Sequence, residues 1–198
     1  MARKRIALDV DNTIADTFGY MHRYMLREHG IDYNKMGFRS MCSDELVEKT
    51  GLTELQLRRI YTDAWTKGWH EIPPLAHPEK LQMLVSAHHV DIVSSRDDST
   101  IEGLRMWCLS NYPSLSLELI LPGFDSDKSL LPYDVYIDDS PDLAAKISLC
   151  STKSMMLVNK PHNIEIGESA NVIRAEDVNE AISLVLGRGR DFPGLRRG

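Results

Sequence analysis

The 198-residue chain has only three cysteines, Cys42, Cys108 and Cys150, widely spaced and odd in number. They match no zinc-ligand spacing and no disulfide framework, so reduced thiols in a cytoplasmic protein are expected. No apolar run approaches the roughly 20 residues of a membrane span. The opening Met-Ala-Arg-Lys-Arg leads into a strand-like run rather than a signal peptide. Basic excess is also absent. A net charge of −6 implies no general affinity for nucleic-acid polymers or anionic membranes. No internal repeat is evident. What remains, 42% hydrophobic and 26% charged, describes an ordinary globular chain, long enough for one packed domain and a modest insert.

Strand-like runs alternate with helical patterns over most of the length. Buried strands are expected at Arg5 to Val10, Val90 to Ser94, Leu117 to Leu121, Asp134 to Ile137 and Met155 to Val158, with a shorter run at Asn171 to Ile173. Between them, Ser99 and Glu102 read as a capping box ahead of Ile101, Leu104 and Cys108. Ser140-Pro141 opens another helix, with Leu143, Ile147 and Cys150 on its apolar face. Val178, Ala181, Ile182, Val185 and Leu186 stripe the last helix. The pattern predicts an α/β fold, a doubly wound and mainly parallel sheet built from βαβ units.

One segment breaks the alternation. From Asp16 to Pro74 the patterns are helical: Phe18, Met21 and Met25, then a Thr53-to-Gln56 capping box before Leu57, Ile60, Tyr61 and Ala64. The expected organisation is a core of residues 1–15 and 76–186, a helical cap at 16–75 inserted after the first strand, and a disordered Gly/Arg-rich tail at 187–198. Ligands of open α/β sheets bind at the carboxyl ends of the strands, which places the insert as a lid.

The chemistry-bearing residues gather at those strand ends. Asp9 and Asp11 close the first run and Asp138-Asp139 closes another; Ser94-Ser95-Arg96 and Lys128 follow two more. Four carboxylates at buried strand ends must be neutralised, because unpaired buried charge costs several kcal/mol, roughly. Mg²⁺ with a phosphate beside it suits hard oxygen ligands. A D-x-D alone is commonly a solvated loop; its ordered company carries the argument. His88-His89, at a helix end before a strand, reads as solvated or capping, and His70 and His77 lack ligand partners at metal spacing.

The order Asp-x-Asp-x-Thr, hydroxyl after a strand, lysine, then Asp-Asp resembles the four signature motifs of the haloacid-dehalogenase-like (HAD) phosphatases, over about residues 4 to 186. Several strings are similar to the 5'(3')-deoxyribonucleotidase branch: Asp9-Val10-Asp11 running into Ile14-Ala15-Asp16, Gly37-Phe38, Pro73-Pro74-Leu75, Ile137-Asp138-Asp139-Ser140-Pro141-Asp142, and Asn159-Lys160-Pro161-His162-Asn163. The resemblance implies Asp9 as nucleophile and Asp11 as acid then base. It implies Mg²⁺ held by Asp9, the Asp11 carbonyl and Asp139, with Asp138 orienting water. Ser94, Ser95 and Lys128 would bind the phosphoryl group, and Thr13 would fix the loop. Asp11 favours phosphoester hydrolysis over C–halogen cleavage.

Substrate choice falls to the insert. Its eight aromatics, Phe18, Tyr20, Tyr24, Tyr33, Phe38, Tyr61, Trp65 and Trp69, suit either nucleobase stacking or the insert's own core. Phe38 is the candidate base contact. Arg39, where the deoxyribonucleotidases tend to have an aromatic, serves a second phosphate, a different base or solvent. The expected partner is a small phosphorylated substrate, a 5'- or 3'-nucleotide first, with no membrane and no nucleic-acid polymer; a homodimer is compatible. Sugar phosphates, or a catalytically silent binding role, are the rivals.

Overall fold

The computed structural model describes residues 3–32, 47–48, 50–113, 118–120 and 126–187. Within them six strands form one parallel sheet: β1 (Arg5–Leu8), β2 (His89–Val93), β3 (Glu118–Ile120), β4 (Val135–Asp138), β5 (Ser154–Val158) and β6 (Val172–Ala175). Their order is β3-β2-β1-β4-β5-β6. The chain winds outward from β1 in one direction and from β4 in the other, so β1 and β4 pair where the winding reverses. A crevice opens outside the carboxyl ends at such a reversal. The doubly wound α/β architecture predicted from the alternation is the one observed, helical segment after the first strand included.

Six helices lie among the described residues: α1 (Thr17–His29), α2 (Glu54–Thr66), α3 (Pro78–Ala87), α4 (Ile101–Asn111), α5 (Pro141–Ser148) and α6 (Val178–Gly187). None is long and apolar enough to cross a membrane. Strand alternation sorts the core into two layers. Ile6 and Leu8 of β1 share a buried cluster with Leu81 and Leu84 of α3, Leu104 and Trp107 of α4, and Ile182 and Val185 of α6. Ala7, between them, belongs to the opposite cluster with Leu143, Ala144 and Ile147 of α5.

The segment between Asp16 and Leu75 joins the first of these layers. Met21, Met25, Leu57 and Trp65 lie in the same cluster as Ile6 and Leu8. Trp65 of α2 is wholly buried and meets Trp107 of α4 edge to face, with ring centroids 5.8 Å apart. The contact depends on Gly103 of α4: a Cβ there would stand 1.6 Å from the Trp65 carbonyl oxygen. At its base the segment enters and leaves side by side. Asp16 N donates to the Pro73 carbonyl at 2.8 Å and Leu75 N to the Ile14 carbonyl at 2.7 Å.

Caps explain most helix starts. Thr53 and Gln56 form the predicted reciprocal box on α2, and Ser140 Oγ accepts from Leu143 N ahead of Pro141. The Ser99–Glu102 box does not form. Asp97 captures Ser99 N at 2.8 Å and starts a 3-10 turn (Asp98–Thr100), so Ser99 already lies inside a turn when α4 begins. Helix α5 ends at Ser148, which leaves Cys150 beyond the helix rather than on its apolar face. His88 is buried rather than solvated and takes the capping role: it is the C-cap of α3, its N–H donates to the Leu84 carbonyl at 2.9 Å, and its Nδ1 accepts from Lys4 N at 3.4 Å. Residues 188–198, Cys42 and the Gly37-Phe38-Arg39 string lie outside the described residues.

Candidate active site

The turn after β1 folds back on a single carbonyl. Val10's carbonyl accepts from the amides of Thr13, Ile14 and Ala15, and Asn12 takes a left-handed φ of 59° that asparagine tolerates better than most residues. Asn12 Oδ1 accepts from Phe18 N at 2.8 Å, fixing the start of α1. This turn presents Asp9 and Asp11 at the end of β1, beside the end of β4 where Asp138 and Asp139 emerge. Thr13 is fully buried behind it.

Carboxylate oxygens of Asp9, Asp138 and Asp139 lie within 4.8 Å of one another, all three residues buried. Lys128, on a 3-10 turn (Lys128–Leu130), reaches two of them: Nζ donates to Asp9 Oδ1 at 2.6 Å and to Asp138 Oδ2 at 2.8 Å. Burial disfavours charge on this ammonium, but Asp138 and Asp9 overcome it and raise its pKa above the ordinary lysine range. Asp9 shifts oppositely. Burial, with Asp138 beside it, pushes its carboxyl well above the usual range despite Lys128.

Asp138 Oδ1 accepts from Ser140 N at 2.8 Å, so both its oxygens are engaged. Asp139 is less satisfied. Its Oδ2 lies 3.2 Å from His162 Nε2, yet that nitrogen is aligned on Asp139's own carbonyl, also at 3.2 Å, and buried Oδ2 takes no formed hydrogen bond. Asn163 Nδ2 fixes the same carbonyl at 2.9 Å. Burial opposes a charged His162, but Asp139 raises its pKa above the usual imidazole range. Three crowded carboxylates, one of them with an orphaned oxygen, and a single lysine make an oxygen-rich, negatively charged pocket. That donor set fits a hard divalent cation such as Mg²⁺.

Asp11 stands apart from this trio. Its Oδ1 accepts from Thr17 Oγ1 at 2.7 Å and Trp65 Nε1 at 3.0 Å. Its Oδ2 accepts from Tyr61 Oη, from Arg96 Nη2 and, at 3.3 Å, from Ser94 Oγ. Burial alone would raise its pKa; Arg96, with Tyr61, Thr17 and Trp65, outweighs burial and holds the carboxyl below the usual range. Arg96 is itself wholly buried, donates from Nε to Ser94 Oγ at 2.9 Å and lies 4.3 Å from the Trp65 ring centroid.

A cavity of about 690 Å³ opens over these groups. Asp9, Asp11, Ser94, Ser95, Lys128, Asp138 and Asp139 all line it, so one space brings together every predicted site residue that is described. The rest of its lining includes Ser126 and Asp127 ahead of the Lys128 turn, Asp142 and Lys146 of α5, and His162 after β5. Of the insert's described aromatics only Tyr61 lines it. Trp65 and Tyr20 are buried, and Phe18, Tyr24 and Trp69 pack against the core, so these rings serve packing.

Sequence reasoning missed Arg96, Tyr61, Trp65 and His162 as members of the site. Signals existed for each of them. Arg96 directly follows the strand-end serines. Tyr61 and Trp65 stand four apart on one helix face, both with a hydrogen-bonding edge. His162 stands in the Asn159-to-Asn163 string already singled out, but its place beside Asp139 depends on the pairing of β5 with β4.

No family model matches the chain and no curated protein matches it. Solved structures do. A phosphoglycolate phosphatase, provisionally so named, from Lactobacillus plantarum aligns with TM-score 0.60 at 13% identity, over 93% of this chain and 100% of that one. A provisionally named haloacid dehalogenase-like hydrolase from Bacteroides fragilis aligns at 0.57 and 15%, over 88% and 97%. CbbY from Rhodobacter sphaeroides, solved with phosphate, aligns at 0.55 and 14%, over 90% and 96%; a mutant of it was solved with xylulose-1,5-bisphosphate. At these identities the likeness establishes the fold: the chain has the architecture of HAD-like hydrolases.

Proposed function

We propose that this protein is a phosphatase that hydrolyses a small phosphomonoester through an aspartyl-phosphate on Asp9. One observation carries the reading: Asp9, bonded by Lys128 at 2.6 Å, sits among Asp138 and Asp139 at the β1/β4 reversal, facing the cavity. In the first step an Asp9 oxygen attacks phosphorus, the phosphorus–oxygen bond to the leaving group breaks, and that oxygen collects a proton. In the second, water attacks the acyl phosphate, releasing phosphate and restoring the carboxylate. Lys128 stabilises charge on the phosphoryl oxygens, helped by Ser95. Asp9, Asp139 and the Asp11 carbonyl would hold Mg²⁺, with Asp138 beside it, and the ion would supply charge neutralisation for nucleophile and phosphoryl group.

Asp11 is the proton carrier. Ionised and held by five donors, it has no place for a proton until its bond to Arg96 opens. Once opened and protonated it would give that proton to the leaving oxygen in the first step, and, ionised again, take one from the hydrolytic water in the second.

The leaving portion is a small polar group rather than a nucleobase. Tyr61 is the single aromatic among the described lining residues, while Ser126, Asp127, Asp142 and Lys146 offer the alternating donors and acceptors that bind hydroxyls. CbbY's phosphate and xylulose-bisphosphate complexes support this substrate class. A panel of sugar phosphates, nucleotides and p-nitrophenyl phosphate, each assayed with Mg²⁺ and with chelator, tests it. Metal-dependent turnover favouring sugar phosphates is expected. Preference for nucleotides would restore the nucleotidase reading, and turnover by Asp9→Asn would end the mechanism.

A further inference from the structure

Lys153 has no place in the chemistry just described. It precedes β5, is half-buried and does not line the cavity. Its ammonium nevertheless has a built receptor. Nζ donates to the Ser129 carbonyl at 2.5 Å and to the Leu131 carbonyl at 2.6 Å, with Tyr136 Oη at 3.4 Å. Tyr136, wholly buried on β4, shares its hydroxyl proton between the Lys128 carbonyl at 3.0 Å and the Leu131 carbonyl at 2.8 Å. The carbonyls of residues 128, 129 and 131 thus converge on two side chains, one from β4 and one from the start of β5.

Those carbonyls belong to the turn that carries Lys128. A 3-10 turn this short has little hydrogen bonding of its own; here the backbone supplies Leu130 N to Asp127 O and Leu131 N to Lys128 O, both 3.1 Å. Asp127 caps it through Ser129 N and Oγ. Such a turn cannot by itself hold a flexible lysine stem between two carboxylates to the fraction of an ångström that transition-state contacts need. Anchoring its carbonyls to the sheet supplies the missing rigidity. On the phosphatase reading, on which this inference rests, we propose that Lys153, acting with Tyr136, is the positioning residue that fixes Lys128 over Asp9 and the phosphoryl site.

The test compares K153M, K153R and Y136F in the wild-type and K128M backgrounds. Activity is read with p-nitrophenyl phosphate in Mg²⁺, phosphate binding as the competitive Ki of inorganic phosphate, and folding by thermal melting. In the wild-type background K153M should lower kcat/KM and weaken phosphate binding by about tenfold or more. K153R should recover part of both. In the K128M background neither quantity should move by more than about twofold, because residues acting through one another are not additive. An equal loss in both backgrounds, or full activity in K153M, overturns the proposal. Y136F, which removes one hydroxyl, answers the same question if K153M does not fold. A wild-type protein that hydrolyses no phosphomonoester would sink the phosphatase reading instead. Amide exchange at Leu130 and Leu131 would then decide the anchoring: faster exchange confined to this turn in K153M sustains it, and unchanged exchange rejects it.

Discussion

Arg96 and Asp11 form an ion pair in which the guanidinium is wholly buried and the carboxylate is the meeting point of three chain segments. Thr17 comes from α1, Tyr61 and Trp65 from α2, and Ser94 with Arg96 from the loop after β2. The pair therefore ties the helical insert to the sheet through the residue proposed to move protons.

Replacing Arg96 by methionine should destabilise the protein by about 3 kcal/mol at pH 7, as expected when one partner of a buried pair is removed. The R96M/D11N double variant should lose less than the two single losses combined, read by urea unfolding. The pH dependence has a definite sign. Because Asp11 is held below the usual carboxylate range, its stabilising contribution is full above the unfolded pKa of ~3.9 and fades as pH falls through the lower folded value. The gap between wild type and R96M should narrow in acid. A gap that widens in acid would contradict this.

Asp9 predicts the reverse. Its pKa is raised, so the ionised form costs stability, and in chelator the protein should weaken as pH rises from ~4 through the raised folded value. Asp9→Asn should melt higher than wild type in chelator while losing turnover. Millimolar Mg²⁺ should raise the wild-type melting temperature and do far less for Asp9→Asn. Equal Mg²⁺ shifts in both proteins would remove Asp9 from the metal site.

Gly103→Ala tests the seam between insert and core. The new methyl would meet a backbone carbonyl at 1.6 Å, which no rotamer change relieves, so α2 and α4 must separate. A loss of about 3 kcal/mol is expected, at the upper end of overpacking penalties. Since Trp65 donates to Asp11, kcat should fall as well; normal stability and turnover would show the seam to be slack.

The thiols should react very differently. Burial pushes the Cys108 thiol up to about 12, whereas the Thr152 backbone amide lowers the Cys150 thiol. In a Cys42→Ser background at pH 8, iodoacetamide should modify Cys150 about a thousandfold faster than Cys108. Mass spectrometry of the native protein should find Cys108 unmodified until denaturant is added.

The fold was legible because its signals are local. Apolar runs near Ile6, Ile92, Ile137 and Met156 marked buried parallel strands, and Thr53, Gln56 and Ser140 marked helix starts. Lys128, Asp9 and Asp138 could be listed from motif order, yet the bonds that bring them together span up to 119 positions and exist only once β1 and β4 pair. The insert's aromatics were ambiguous for a physical reason: a ring that fills a core and one that stacks on a base need the same residue types. Asp97 defeated the Ser99 cap because two good capping residues stood close together and the earlier one won.

The paired hydrogen bonds at Asp16–Pro73 and Ile14–Leu75 leave the length of the segment between them free of the sheet. Because exit and return are adjacent, a turn of about two residues could bridge the gap without altering the strand order. Insertion length at this point is topologically neutral: the excursion could be lengthened or shortened while β1 keeps β2 and β4 as its neighbours. What restrains such a change is Trp107, buried against Trp65, which a shorter segment would uncover.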